Sequence, residues 1–302
     1  MRVGIIGANG FVGQHLVEVL AQRKLDLVLF GRAQNSPHQH EYHQLDLLDE
    51  QAIEKIPSLD FLFYLASDSI PNSTWDTPLL EIENNLIPFV RLVNLLCERG
   101  LKRMAFISSG GTIYGDCNDK INEAHVKKPK SPHGITKLSM EYWLYYFYER
   151  YGLSSDVYRV SNVYGEGQNT KKGLGIINTW LELIKEGKAV SLFGKGEHVR
   201  NFIYVKDVAL GMATSLDFDE KGIRVFNLSS DQSLSLAELL SAIQVILSKD
   251  VSVNFLPNRP SDVLSIHLDN QLFLERNPSF KFTPIKDGIL KTYQFIATNE
   301  SR

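Results

Sequence analysis

Residues 3–13 read Val3-Gly4-Ile5-Ile6-Gly7-Ala8-Asn9-Gly10-Phe11-Val12-Gly13, and this stretch decides how the rest of the chain is read. A strand-length apolar run breaks at Gly7, and helical spacing begins at Phe11. Gly7 permits a tight turn, Gly10 lets a pyrophosphate approach the backbone, and Gly13 lets the helix pack closely on the strand. The N-terminus of that helix offers free N–H groups and a positive dipole end to phosphate. Placed at the first strand-to-helix turn, Gly7, Asn9, Gly10, Phe11, Val12 and Gly13 predict a dinucleotide site.

The same alternation continues downstream. Apolar runs stand at 3–6, 27–30, 61–65, 104–107 and 157–160, and helical patterns cover 11–23, 49–56, 78–99 and 131–151. Runs of four to five residues without polar alternation suit parallel strands buried on both faces. Strands alternating with helices predict an α/β fold with a Rossmann-like, doubly wound parallel sheet. Beyond Gly165 the rhythm changes, with helical segments at 174–186, 205–216 and 235–248. Strand-like pieces at 190–193, 200–204, 224–228 and 251–255 separate them. The expected division is a Rossmann domain over 1–165, to which some later strands return, and a smaller α+β C-terminal substrate lobe over 166–302. A cleft between the two is the expected ligand site.

Composition narrows the class further. The chain has 302 residues, 43% hydrophobic and 22% charged, which excludes intrinsic disorder. A net charge of −3 and a pI near 6.3 argue against a dedicated nucleic-acid binder. No apolar run approaches the ~18 residues of a membrane span. Cys97 and Cys117 form no CxxC pair, and a strand starting at Val3 is not a secretory signal, so a cytoplasmic protein is expected.

Cofactor choice is read after the second strand, where NAD enzymes usually place Asp or Glu on the ribose 2′-hydroxyl. Gly31-Arg32 stands there instead, and Arg32 suits a 2′-phosphate, so NAD or NADP is expected with a lean to NADP. Asp46 and Leu47 are placed to reach the adenine, and Leu65, Ala66 and Ser67 the pyrophosphate and ribose.

Several later stretches are ordered in a familiar way. They are Ser108-Ser109-Gly110-Gly111-Thr112-Ile113-Tyr114-Gly115, Ser131-Pro132-His133-Gly134-Ile135-Thr136-Lys137 and Asn162-Val163-Tyr164-Gly165. Arg200-Asn201-Phe202-Ile203-Tyr204-Val205-Lys206-Asp207-Val208 and Arg259-Pro260-Ser261-Asp262-Val263 follow. With the first glycines and Asn85, they make the chain resemble the NAD-dependent epimerase/dehydratase family, within the extended short-chain dehydrogenases/reductases. The resemblance implies a Tyr-x-x-x-Lys pair and a Ser or Thr hydroxyl. Tyrosinate takes a sugar hydroxyl proton while hydride passes to nicotinamide, and Lys binds the nicotinamide ribose and lowers the tyrosine pKa. A phenol of pKa about 10 is a poor base at neutral pH without such help.

This chain departs from that pattern: His133 stands at the tyrosine position, four residues before Lys137 and on the same helix face. In one reading His133 is the general base or acid, its pKa of about 6.5 lowered by nearby positive charge. In the other the redox step is impaired and the protein binds NAD(P) and a nucleotide sugar. Gly110 occupies the usual hydroxyl position, leaving Ser109 and Thr112 as the candidate hydroxyls. The resemblance also implies that Asn85 and Lys137 contact the cofactor and that Asn162, Arg200, Arg259 and Asp262 bind a UDP- or dTDP-linked sugar. A bidentate arginine fork suits phosphate.

His38, His40 and His43 are close together but lack a zinc spacing, so no metal is expected. Helices 78–99 and 131–151 carry more apolar and aromatic residues than one buried stripe needs. In the family they pair with a neighbour's, and a homodimer is expected. The expected activity is epimerisation at sugar C4 through transient oxidation. An NADPH-dependent reductase of a 4-keto nucleotide sugar is the alternative.

Overall fold

All five apolar runs of the sequence become strands of one parallel sheet. The structure is a computed structural model and describes residues 1–69, 74–117, 119–170, 175–257 and 265–298. In chain order, β1 (Arg2–Ile6), α1 (Phe11–Ala21), β2 (Asp26–Gly31), β3 (Glu41–Gln44), α2 (Glu50–Glu54) and β4 (Phe61–Tyr64) come first. Then follow α3 (Leu79–Glu81), a π-helical turn (Ile82–Leu86), α4 (Ile87–Glu98), β5 (Arg103–Ser109), α5 (Gly110–Ile113), β6 (Lys120–Ile121) and α6 (Pro132–Tyr151). β7 (Ser154–Val160), β8 (Asn162–Tyr164), α7 (Ile176–Lys185), β9 (Val190–Phe193), β10 (Val199–Tyr204), α8 (Val205–Ala213) and β11 (Ile223–Leu228) continue the chain. It closes with β12 (Ser233–Ser235), α9 (Leu236–Leu247), β13 (Val253–Leu256), β14 (His267–Leu268), α10 (Gln271–Arg276) and α11 (Ile285–Thr298).

The large sheet has the order β11-β7-β5-β4-β1-β2-β3, with every neighbouring pair parallel. Strand order reverses between β1 and β4, the switch point at which α/β sheets open a crevice beyond the strand carboxyl ends. β11 comes from beyond residue 165 and forms one edge. Leu92 and Leu96 of α4 pack with Met140, Leu144 and Phe147 of α6 on one face. Leu16, Val17 and Leu20 of α1 pack with Val208 and Met212 of α8 on the other. Each fully buried side chain of this kind contributes about 1.5–3 kcal/mol. A third cluster gathers Trp180 and Leu181 of α7, Phe202 of β10, Leu239 and Ile243 of α9 and Ile289 of α11.

Local chemistry sets the helix ends that matter for the site. The Ser131 hydroxyl accepts a hydrogen bond from Gly134 N–H at 3.1 Å, Pro132 occupies the first turn, and Gly152 closes α6 at φ +72°. These are the expected N- and C-terminal signals. The predicted helix 78–99 is interrupted. Pro88 has no N–H for an i−4 carbonyl, and the turn before it widens, with Ile87 N–H donating to the Ile82 carbonyl. Asn85 is buried inside this π turn. Among the described residues no helix is long and apolar enough to cross a membrane.

Candidate active site

The cradle at the first turn is built by close approach. Gly7 N–H and Ala8 N–H both donate to the Phe30 carbonyl, tying the turn to the end of β2, and Gly7 has φ +88°. A Cβ on Gly13 would lie 2.1 Å from the Gly7 carbonyl oxygen, so only glycine lets α1 sit this close. Gly10 caps α1 without a side chain, and its first turn holds no acidic residue. The N–H groups there are left for an anion, so the residues present fit a dinucleotide pyrophosphate.

Beside the cradle lies a cavity of about 380 Å³ along the ends of β1, β2 and β4. Gly7, Asn9, Gly10, Arg32, Asp46, Leu47, Leu65, Ala66, Ser67 and Asn85 line it. Phe11 and Val12 instead pack toward the third apolar cluster, and Gly13 is buried behind the cradle. Sequence reasoning missed other wall residues, including Phe30, Tyr64, Asp68 and Asn84. Asp68 carries the largest consequence, because its carboxylate holds Arg32 Nη1 at 2.6 Å. Asn84 Nδ2 donates to the other Asp68 oxygen at 3.2 Å, and Asp68 N–H donates to Asn85 Oδ1 at 2.8 Å. The guanidinium expected to meet a 2′-phosphate therefore already faces a carboxylate.

Next to the cavity, α6 brings His133 and Lys137 together below the surface, 7% and 5% exposed. The start of α6 reaches α5 because residue 134 is glycine: a Cβ there would lie 2.6 Å from the Thr112 carbonyl oxygen. Thr112 Oγ1 is buried without a hydrogen-bond partner among the described residues. Such a hydroxyl costs about 1–3 kcal/mol until a ligand or water satisfies it. Ser109 is half-buried at the start of α5, and its side chain makes no cap bond. Lys137 Nζ donates to the Ile107 carbonyl at 3.1 Å.

Burial, and then the Lys137 charge, push the His133 pKa down to about 3, so the imidazole is neutral at pH 7 and can accept a proton. Burial also lowers Lys137 to about 8, against the opposing pull of Glu81 and Glu141. His133 Nδ1 lies 3.2 Å from Ser69 Oγ, which accepts from Asn85 Nδ2 at 3.3 Å. His133 is thus linked to the cavity wall through two hydrogen bonds. The neighbouring Tyr114 is not a substitute for the missing phenol. Burial pushes its pKa up to about 12, and its hydroxyl is held between Arg159 and Asn227.

The residues expected at the substrate end are only partly gathered. Asn162 on β8 donates from Nδ2 to the Asn201 carbonyl at 3.0 Å, and Arg200 on the adjacent β10 donates to the Val199 carbonyl at 2.9 Å. Neither lines the cavity described above. Arg259 and Asp262 lie outside the described residues. Of the three clustered histidines, His43 stacks on Phe30 and bonds Glu41 at 2.8 Å. Among the described residues no three His, Cys, Asp or Glu side chains converge as a metal site would require.

A glycine cradle at a sheet switch point, with a buried histidine and lysine beside it, defines an α/β protein built for a dinucleotide. The chain belongs to the NAD dependent epimerase/dehydratase family, whose sequence profile matches residues 3–229. A putative UDP-glucose 4-epimerase of Methanocaldococcus jannaschii is 24% identical over 306 residues, 98% of each chain. The dTDP-4-dehydro-6-deoxyglucose reductase of Escherichia coli is 26% identical over 264 residues, 83% of each. The Thermus thermophilus UDP-glucose 4-epimerase, solved in complex with NAD, has a TM-score of 0.91 and 26% identity across 99% of each chain.

Proposed function

We propose that this chain epimerises a nucleoside-diphosphate hexose at C4, with a retained NAD and with His133 as the proton-transfer residue. The observation that carries the reading is the neutral buried imidazole of His133, packed with Lys137 beside the cradle and the unpartnered Thr112 hydroxyl. When bound, the dinucleotide would supply a hydride acceptor and donor for the sugar carbon. The cradle from Gly7 to Gly13, with Asp46, Leu47, Leu65, Ala66, Ser67 and Asn85, holds the dinucleotide. His133 takes the hydroxyl proton and gives it back, Thr112 or Ser109 orients the sugar oxygen, and Lys137 binds the ribose. Asn162, Arg200, Arg259 and Asp262 hold the nucleotide end, the arginines against its phosphates. A positioned acid–base side chain contributes about 10²–10⁴-fold in rate.

The test is to purify the full chain, extract and identify the bound dinucleotide, and follow UDP- and dTDP-hexoses for C4 inversion. Retained NAD with inversion is the expected result. Inversion by His133→Tyr but not by the natural sequence would remove His133 as the base and leave a cofactor-binding protein. The likeness to a dTDP-4-dehydro-6-deoxyglucose reductase supports a second reading, reduction of a 4-keto sugar. Net reduction with NADPH and an exchangeable cofactor would establish it.

The pairing of Arg32 with Asp68 weighs against the NADP lean taken from Gly31-Arg32. A 2′-phosphate has to displace an anion and then sit beside it. Two like charges about 4 Å apart cost about 1 kcal/mol in water, so Asp68→Asn is expected to tighten NADP about fivefold with NAD unchanged. Calorimetric titration of both dinucleotides checks this, and an unchanged ratio would place the 2′-position away from Asp68.

The same reading includes a homodimer through α3, the π turn and α6. Leu79 of α3, Ile82 of the π turn and Ile135, Tyr142, Tyr145 and Tyr146 of α6 are exposed, with Tyr142 reaching 63%. A second copy covers such a self-complementary face by two-fold symmetry. Sedimentation should give a dimer for the natural chain and a monomer for Tyr142→Asp/Tyr146→Asp. A monomeric natural chain overturns it.

A further inference from the structure

We propose that Glu81 is a positioning residue that fixes the His133 imidazole with its proton on Nδ1, leaving the Nε2 lone pair for the substrate hydroxyl. This rests on the reading of His133 as the proton acceptor.

The starting observation is an inverted surface. In Leu79-Leu80-Glu81-Ile82 the three apolar side chains are exposed at 66%, 41% and 43%, whereas the carboxylate is buried at 1%. A buried carboxylate is costly unless its surroundings satisfy it. Here Thr74 Oγ1 donates to Oε1 at 2.7 Å, and Asn85 Nδ2 donates to Oε2 at 3.1 Å. His133 Nδ1 lies 3.8 Å from Oε1.

The orientation of the Asn85 amide is fixed by its own bonds. Its Oδ1 accepts from Asp68 N–H, so Nδ2 is the end turned toward Glu81 and Ser69. Ser69 Oγ therefore receives one hydrogen from Asn85 and, at 3.2 Å from Nδ1, can either accept from an Nδ1–H or donate to a bare Nδ1, so the Glu81 carboxylate decides between the tautomers. With the proton on Nδ1, the imidazole directs a donor at the Ser69 oxygen and at the carboxylate beyond it. With the proton on Nε2, the Nδ1 lone pair would face the carboxylate instead. The first arrangement is attractive and the second repulsive.

When Nε2 accepts the hydroxyl proton, one O–H bond breaks and one N–H bond forms, and the imidazolium charge develops against Glu81. Lys137 on the same helix opposes that charge. Glu141, the other carboxylate acting on Lys137, is itself held by Arg159 of β7 at 2.7 Å. Glu81 is thus the carboxylate placed to serve His133.

The experiment is long-range ¹H–¹⁵N NMR of the full-length protein labelled at histidine, with His133 assigned by substitution. Kinetics of Glu81→Gln and Glu81→Asp run beside it. The expected spectrum shows His133 protonated at Nδ1 in the natural chain, a shift toward Nε2–H in Glu81→Gln, and recovery in Glu81→Asp. A wrong tautomer lowers kcat by about 10²-fold or more, with the sugar KM little changed. An Nε2–H tautomer in the natural chain overturns the proposal without any variant. So does an unchanged tautomer and kcat in Glu81→Gln. If His133→Asn keeps full turnover, the base reading fails by itself, and the tautomer spectra still decide whether Glu81 orients the ring.

Discussion

Replacing His133 with asparagine is expected to lower kcat by about 10²–10⁴-fold, the range a positioned acid–base group contributes. The KM for the sugar and the retained dinucleotide should change little. Asparagine keeps a polar side chain of similar reach at the Nδ1 end but has no lone pair basic enough to take a hydroxyl proton. Loss confined to kcat marks an interaction made in the transition state, whereas a raised KM would mark binding only. Steady-state kinetics with dinucleotide content measured on the same samples separates the two. Undiminished turnover in His133→Asn removes this residue from the chemistry.

The pH profile gives an independent check on the same group. Burial and Lys137 hold the His133 pKa at about 3, below the usual 6.5. The free enzyme should therefore show no loss of kcat/KM from His133 protonation between pH 7 and pH 5. Stability follows the same linkage. Between pH 6.5 and 3 the unfolded chain binds a proton at this histidine that the folded chain does not. Stability is complete above about pH 6.5 and falls as acid is added through that window. His133→Asn should flatten that part of the acid unfolding curve, as read by urea midpoints at successive pH values.

The second large effect is expected at Glu141, which is 3% exposed and ties α6 to β7. Its carboxylate accepts from Arg159 Nη2 at 2.7 Å and Nε at 3.1 Å, and from Ser108 Oγ at 2.6 Å. Arg159 also donates to the Tyr114 hydroxyl at 2.7 Å, so one buried network joins β5, β7 and the helix that carries His133. Removing one member of a buried ion pair leaves an uncompensated charge and costs about 3–5 kcal/mol. Glu141→Leu should lose that much in urea, visible as a lower midpoint with an unchanged m value. The double change Glu141→Leu/Arg159→Met should lose less than the single one, because no charge remains buried. A single-variant loss below about 1 kcal/mol would show that Arg159 finds another partner.

How much of this was legible in the sequence depends on the distance over which each feature is encoded. The glycine cradle is local: its turn, its close approach and its helix start all fall within residues 7–13, and the strand-length runs around it predict the parallel sheet. The separation of His133 from Lys137 by one helical turn is local too. The predicted helix 78–99 missed its break, although Pro88 was the signal for it. Glu81 also left a trace, an acid inside an apolar run. Helical spacing alone could not tell that the acid turns inward while its apolar neighbours face out.

By itself, then, the sequence determined the sheet, the cradle and the imidazole standing where a phenol is usual, because turn chemistry and periodicity act over a few residues. The tertiary structure decided which charges meet. Arg32 and Asp68 are 36 positions apart, Ser69 and His133 are 64 apart, and Arg159 and Glu141 are 18 apart. No local pattern specifies such pairs, since they form only when strand ends and helix faces are packed together. Burial then makes each unpaired charge costly, and that cost selects the partners around His133.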